Sequence, residues 1–175
     1  MSNSVIESLC ERRSVRSFQY KQVEENLLEE ILRAGTYAAT GRGRQSPIMV
    51  VVQDPKIRSV LQKMNARIMG WEEGKDPFYG APTIVIVLAD PAIPTYLEDG
   101  ALVMGNLMNA AYALGVDSCW IHRAREEFES AEGKALLKSL GIEGDYVGIG
   151  HCALGYGDCE RPKAAPRKKN YIYRV

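Results

Sequence analysis

The chain has 175 residues, of which 46% are apolar, 25% charged and 8% aromatic. A chain of this length buries about 70% of its unfolded surface, so it needs neither disulfides nor a structural metal, and its composition excludes collagen, coiled coil and disordered chain. The 22 basic and 22 acidic side chains cancel, which disfavours a nucleic-acid-binding domain because such domains are clearly basic. We therefore expect a single domain over residues 1–175 that binds no nucleic acid.

Targeting and cysteine patterns predict a cytoplasmic protein with no membrane contact. No secretory signal is visible, and no apolar run reaches the 18 residues that a membrane helix requires. The cysteines Cys10, Cys119, Cys152 and Cys159 form no C-x-x-C pair and no zinc spacing with the two histidines. We therefore expect four free thiols in a reducing compartment and no metal site.

In chain order, the first elements are two amphipathic helices separated by a loop. Ser4 and Glu7 form a capping box that opens a short helix. The pattern breaks over residues 12–18, which we interpret as a loop, and apolar residues then recur at helical spacing from Val23 to about Tyr37. The inner face of the first helix is predicted to comprise Val5, Ile6, Leu9 and Cys10.

The remaining chain alternates strand and helix patterns. A polar, glycine-bearing loop over residues 38–47 precedes a strand at 48–52, and Asp54-Pro55 opens a helix. Further strands are predicted over 83–89, 116–121 and 146–156, with a helix over 96–114 and another closed by Gly141. The helix over 96–114 is rich in glycine and alanine, so we expect it to be central and closely packed. This alternation indicates an α/β or α+β fold with helices on both faces of one sheet.

Two basic segments are candidates for binding an anion. Three arginines and a serine lie within residues 12–16, where guanidinium groups repel one another unless an anion lies between them. The tail over residues 160–175 carries six basic side chains and one acid, with Arg167, Lys168 and Lys169 adjacent. Each segment is also compatible with a solvated charge cluster, and the tail with a disordered terminus.

The common catalytic motifs are missing, which favours a cofactor that supplies the chemistry. The chain has no G-x-S-x-G elbow, no H-E-x-x-H, no phosphate loop and no G-x-G-x-x-G fingerprint. His122 and His151 are isolated, and such histidines are mostly structural. The loop over residues 40–47 offers glycines and polar donors to a planar ligand, although a simple connection explains it equally well.

Six segments, in order, resemble the nitroreductase family of FMN-dependent oxidoreductases. Residues 12–18, R-R-S-V-R-S-F, resemble the R-R-S-x-R-x-F opening of that family. The other segments are residues 40–52, 79–83, 114–121, 147–156 and 166–168, so the resemblance covers nearly the whole chain. It implies an α+β, three-layer fold with a central, mostly antiparallel sheet flanked by helices. It also implies a homodimer in which the C-terminal tail is exchanged onto the partner subunit.

The resemblance further implies two FMN sites at the subunit interface, each lined by both chains. The loop over residues 12–16 would hold the phosphate, ribityl chain and pyrimidine edge, and residues 40–45 would come from the partner. A backbone N–H just past the strand ending at Ile121 would donate to flavin N5, from His122 or Arg123. The residues implied to bind the cofactor are Arg12, Arg13, Ser14, Arg16, Thr40, Gly41, Gln45, Asn65, Ile121, His122, Arg123, Arg167 and Lys168.

The function implied is a two-step hydride transfer. NADH or NADPH would reduce the flavin at N5 and leave, and a nitroaromatic or quinone would then take the electrons in the same pocket. No side chain need act as a nucleophile. The alternatives are reductive dehalogenation or enoate reduction on the same fold, a flavin-binding sensor or carrier without turnover, and an interaction module whose basic tail contacts nucleic acid.

Overall fold

A computed structural model of the protein describes residues 3–72 and 74–175. Helices and strands alternate along this part of the chain, with a short 3-10 turn at Gly41–Gly43. The elements are α1 (Ser4–Glu11), α2 (Glu25–Thr36), β1 (Ile48–Val52), α3 (Pro55–Ile68), β2 (Thr83–Ala89), α4 (Tyr96–Ala113), β3 (Asp117–Ile121), α5 (Ala124–Glu129), α6 (Ala131–Ser139) and β4 (Val147–Gly155). None of the helices described is both long and apolar enough to cross a bilayer.

The four strands form one antiparallel sheet in the order β1-β2-β4-β3. Helices cover both faces of this sheet. The antiparallel pairing of all its strands confirms the α+β expectation and excludes a parallel α/β sheet. Strand β2 lies inside the sheet and is fully buried along its whole length, so its apolar run is uninterrupted. Alternate β2 side chains enter two separate cores: Ile84, Ile86 and Leu88 on one face, Val85 and Val87 on the other.

The first helix differs from its prediction in two respects. Its N-cap is Asn3, whose Oδ1 accepts a hydrogen bond from the N–H of Val5 at 3.0 Å, so the Ser4 capping box is wrong. The supposed inner face is also exposed, with Val5 63%, Ile6 57% and Leu9 51% accessible. Helix α1 packs mainly against α4, and no described part of the chain covers this face.

Two other boundaries follow from local hydrogen bonds. The helix expected to run to Gly141 is divided at Ser130, whose extended backbone ends α5 and whose Oγ accepts from the N–H of Gly133 at 3.0 Å. Serine is favoured at this position because its hydroxyl accepts a hydrogen bond from a free N–H at the start of α6, whereas serine inside a helix competes with the backbone hydrogen bonds. Helix α2 begins at Glu25 rather than Val23, which is buried ahead of the helix.

Helix α4 is packed on one side and open on the other. A Cβ placed on Gly100 would collide with Ile149 of β4, which confirms the predicted close approach at that residue. At Gly105 a Cβ would meet no described atom within 4 Å, and Leu102 on the same helix is 50% exposed. The outer face of α4 around these two residues is therefore left uncovered by the described residues.

The C-terminal tail extends beyond the sheet without regular structure. Residues 158–175 are all exposed. Arg161 holds the start of the tail through its Nε, which lies 2.8 Å from Oδ1 of Asp117 on β3. Farther along, Tyr171, Ile172 and Tyr173 are 64–79% exposed, an unusual exposure for three consecutive large side chains.

Candidate functional site

The loop between α1 and α2 is fixed to the end of the sheet by a buried valine. Val15 is fully buried, and its N–H donates to the carbonyl of Ser118 on β3 at 3.0 Å. Ser14 forms an isolated bridge with the same residue. Because this segment is extended, its alternate side chains point to opposite sides. Arg16 is therefore free to stay in solvent while Val15 enters the core.

The arginines of this loop have no acidic partner within the described residues. Arg13 donates from Nη1 to the carbonyls of Cys10, at 2.8 Å, and Arg12, at 2.7 Å. The Nη1 atom of Arg12 is buried and has no hydrogen-bond partner among the residues that the structure describes. A buried guanidinium nitrogen without an acceptor is costly. The loop therefore has the charge and the unsatisfied donors of an anion site.

The thiol of Cys119 on β3 is influenced by side chains of the loop over residues 12–16. Burial raises the pKa of this thiol, whereas the charges of Arg16 and Arg12 and a hydrogen bond with Ser14 act in the opposite direction. The loop over residues 12–16 therefore lies beside β3, and Oγ of the neighbouring Ser118 is buried without a partner among the described residues.

The loop over residues 40–45 is held by α4, and part of its hydrogen-bonding capacity is already used. The N–H of Gly41 donates to Oδ1 of Asp99 at 2.8 Å, and the Thr95 hydroxyl donates to Oδ2 of the same carboxylate at 3.0 Å. The Thr40 hydroxyl accepts from the N–H of Gln45 at 3.0 Å. The side chain of Gln45 is exposed. Within the described chain, no hydrogen bond or ion pair joins this loop to residues 12–16.

Asn65 lies on α3 and is fully buried, so it acts inside the protein. Its Nδ2 donates to the carbonyl of His122 at 2.8 Å and to Oε1 of Glu127 at 2.6 Å, which uses both amide hydrogens. Its Oδ1 is buried without a partner. The sequence identified this asparagine as a flavin contact but did not indicate that it fastens the end of β3 to α3.

The turn after β3 carries the backbone groups that the resemblance assigns to flavin N5. Ile121 is buried and is opposite His151 in the β3–β4 ladder. His122 and Arg123 are exposed, and Arg123 has a left-handed backbone with φ 79°. In the part of the chain that the structure describes, neither of their N–H groups donates a hydrogen bond outside the strand ladders. Both groups therefore remain candidate donors to a ligand.

Sequence reasoning missed the buried pair beneath this turn. Nε2 of His151 lies 3.0 Å from Oε2 of Glu127, and both side chains are completely inaccessible. His151 was expected to be structural, which its burial against Phe78 supports. Nothing marked Glu127, because a glutamate in a helix of mixed charge is ordinarily solvated.

The tail residues predicted to bind phosphate do not meet the loop over residues 12–16 in their own chain. Arg167 donates to the carbonyl of Ala165, and Lys168 lies over the ring of Tyr171 at 5.1 Å. Both basic side chains are exposed. No group of three His, Cys, Asp or Glu side chains among the described residues could hold a metal ion.

Comparisons with known proteins agree with this architecture. A sequence model described as Nitroreductase family matches residues 9–156. A protein of Archaeoglobus fulgidus with the provisional name NADH dehydrogenase/NAD(P)H nitroreductase is 30% identical over 156 residues, covering 86% of this chain and 83% of that protein. The crystal structure of a nitroreductase with bound FMN from Bacteroides fragilis has a TM-score of 0.89 and 31% identity, covering 99% of this chain and 100% of that one.

A more distant structure shares the fold. Iodotyrosine deiodinase bound to FMN and 3-iodo-L-tyrosine has a TM-score of 0.75 at 18% identity, with 98% of each chain covered. The family match spans both the loop over residues 12–16 and the turn after β3, and the fold agrees over almost the entire chain. The chain therefore belongs to the nitroreductase family.

Proposed function

We propose that the protein is an FMN-dependent oxidoreductase that passes a hydride from NADH or NADPH through flavin N5 to a small acceptor, a nitroaromatic or a quinone. One observation carries the proposal. The loop over residues 12–16 presents three arginines without acidic partners, and Nη1 of Arg12 is buried without an acceptor. FMN carries a phosphate dianion, which is the type of group that arginine forks bind best.

The same residues divide naturally into a phosphate end and a flavin end. Arg12, Arg13, Ser14 and Arg16 would hold the phosphate, the ribityl chain and the pyrimidine edge. The N–H groups of His122 and Arg123 would meet N5, and Asn65, whose Oδ1 is buried without a partner among the described residues, would contact the pyrimidine portion. Bound FMN would supply reversible two-electron chemistry, so that no side chain need act as a nucleophile.

A homodimer would complete the site. Thr40, Gly41 and Gln45 would come from the partner, and the exchanged tail would bring Arg167 and Lys168 to the phosphate of the other subunit. Three exposed apolar surfaces support this arrangement: the face of α1, the outer face of α4, and residues 171–173 of the tail. Apolar surfaces of this extent mark protein contacts in soluble proteins.

Comparing FMN with riboflavin tests the phosphate site directly. The protein stripped of flavin is titrated with each compound, and the quenching of flavin fluorescence is measured. We expect one FMN per chain and an affinity about 100-fold higher than for riboflavin, because two or more charge-assisted hydrogen bonds are lost without the phosphate. Equal affinities, or no binding of either compound, would contradict the proposal.

The class of acceptor needs its own test because reductive dehalogenation is carried out on the same fold. Flavin reduced in the absence of oxygen is mixed with a nitroaromatic, a quinone or 3-iodotyrosine, and the return of the oxidised flavin spectrum is timed. We expect the nitroaromatic and the quinone to reoxidise the flavin fastest. Faster reoxidation by the iodotyrosine would replace the proposed acceptor class with a halogenated one.

A further inference from the structure

Beneath the turn after β3 lies a buried polar chain that connects three elements of the fold. Nδ2 of Asn65 on α3 donates to Oε1 of Glu127 on α5 at 2.6 Å, and Nε2 of His151 on β4 lies 3.0 Å from Oε2 of Glu127 without hydrogen-bond geometry. All three side chains have no exposed surface. The rings of Phe78 and Phe128 pack beside His151, with centroids 5.3 and 6.2 Å from its own. Water is thereby kept out of this region.

The chain of polar groups ends on the backbone of the turn. Nδ2 of Asn65 donates its second hydrogen to the carbonyl of His122 at 2.8 Å. The N–H of Glu127 donates to the carbonyl of Arg123 at 3.0 Å, so Glu127 contacts the turn through its own main chain as well. Two consecutive carbonyls of the turn are therefore held from inside the protein.

The turn is also strained and closely packed. Arg123 adopts φ 79°, a backbone conformation that residues other than glycine adopt at an energetic cost. Gly148 of β4 approaches the turn so closely that a Cβ there would collide with the carbonyl of Ala124. A strained backbone persists only where its surroundings over-determine it. The buried polar chain is such a surrounding.

We infer that Glu127, packed against His151, is a positioning residue that acts through Asn65 to hold the turn at His122 and Arg123 in the shape that presents its N–H groups to the flavin. Burying a histidine–glutamate pair is no efficient route to stability, because apolar residues of similar size often serve as well or better. Their value lies in the fixed geometry of the turn. The inference rests on the proposed flavin chemistry and adds to it residues that need not touch the cofactor.

The test separates the holding of the turn from the binding of the cofactor. Hydrogen exchange at the amide of residue 127, which donates to Arg123, is measured in the protein stripped of flavin. The FMN dissociation constant and the reduction potential of the bound flavin are measured separately. In Glu127→Leu we expect exchange about 10-fold faster, FMN about 10-fold weaker and a shifted potential, because the hydrogen bond that fixes Asn65 is lost. In Asn65→Ala we expect exchange about 10-fold faster as well, and exchange is the deciding readout there because Asn65 is itself a proposed flavin contact.

Glu127→Gln serves as the conservative variant. It keeps an acceptor oxygen for Asn65 and the length of the side chain, so exchange and affinity should stay within about twofold of the wild type. If Asn65→Ala does not fold, the milder Asn65→Ser is expected to change both quantities in the same direction.

Thr83→Val is the matched control. Thr83 is also fully buried and its hydroxyl donates to Gln22 at 2.7 Å, but it lies on β2 away from the turn. It should lower stability without changing FMN affinity or exchange at residue 127. The inference is overturned if Asn65→Ala and Glu127→Leu behave like Thr83→Val. If the wild-type protein binds no FMN, the proposed function fails, yet exchange at residue 127 still shows whether the buried chain holds the turn.

Discussion

Replacing Arg12 with methionine should stabilise the flavin-free protein while weakening its binding of FMN. Nη1 of Arg12 is buried without a hydrogen-bond partner, and no acid pairs with its charge among the described residues. An unsatisfied buried donor costs about 1–3 kcal/mol. Because the Arg12 side chain is partly exposed, we expect Arg12→Met to raise the free energy of unfolding by about 1 kcal/mol, near the lower end of this range. This corresponds to a rise in melting temperature of roughly 2–4 °C for a chain of this size.

Arg58→Met is the matched control, because the guanidinium of Arg58 has hydrogen-bond and ion-pair partners, whereas Nη1 of Arg12 has none among the described residues. Its guanidinium donates to the carbonyl of Ala81 at 2.7 Å and to Gln62 at 3.1 Å, and it pairs with Asp76. Removing one partner of such a largely buried pair leaves the other uncompensated, so we expect a loss of about 2 kcal/mol. FMN affinity should change little, since Arg58 is not one of the proposed cofactor contacts.

Both changes in stability are measured by urea unfolding, followed by circular dichroism, of the flavin-free wild type, Arg12→Met and Arg58→Met. FMN titration of the same samples should show binding at least about 10-fold weaker in Arg12→Met. The two arginine variants should therefore move stability in opposite directions. A loss of stability in Arg12→Met as large as that in Arg58→Met would refute the reasoning, because it would make Arg12 a structural residue rather than a reserved anion donor.

Three further predictions follow from packing, burial and the tail. Gly148→Ala should cost about 1–3 kcal/mol in urea unfolding, because its Cβ meets the rigid carbonyl of Ala124; unchanged stability would contradict this. Burial raises the pKa of the thiols of Cys119 and Cys152 in the folded protein. As the pH rises, the unfolded chain therefore loses these two protons at a lower pH than the folded protein does. The free energy of unfolding should then fall as the pH rises past about 9, less steeply when both are alanine. Removing residues 162–175 should weaken FMN binding and dimerisation in sedimentation measurements, whereas a full-strength dimer would contradict tail exchange.

Most of the fold could be predicted, because local patterns determine where helices and strands occur. The uninterrupted apolar run of β2 and the Asp54-Pro55 start of α3 are examples, and both agree with the structure. The exposed face of α1 could not be foreseen, since an amphipathic pattern shows that a face is apolar but not whether its own chain covers it. The break at Ser130 depended on a cap whose partner is visible only once α6 is formed.

The candidate site was predictable where its residues are adjacent in sequence and obscure where they are not. Arg12, Ser14 and Arg16 could be proposed together because they share one short loop. Glu127 and His151 are 24 residues apart and meet only because the β3–β4 register places His151 opposite Ile121, next to the start of α5. A pairing set by strand register leaves no trace in local composition.

Reduction of the bound flavin by NADH or NADPH in the absence of oxygen is the measurement that tests the central claim most directly. The protein, loaded with one FMN per chain, is mixed with each nucleotide in a stopped-flow spectrophotometer. The account predicts that the oxidised flavin absorbance is lost with at least one nucleotide and returns when a nitroaromatic or quinone is added. Flavin that stays oxidised with both nucleotides would contradict the proposed enzyme and leave a flavin-binding protein without turnover.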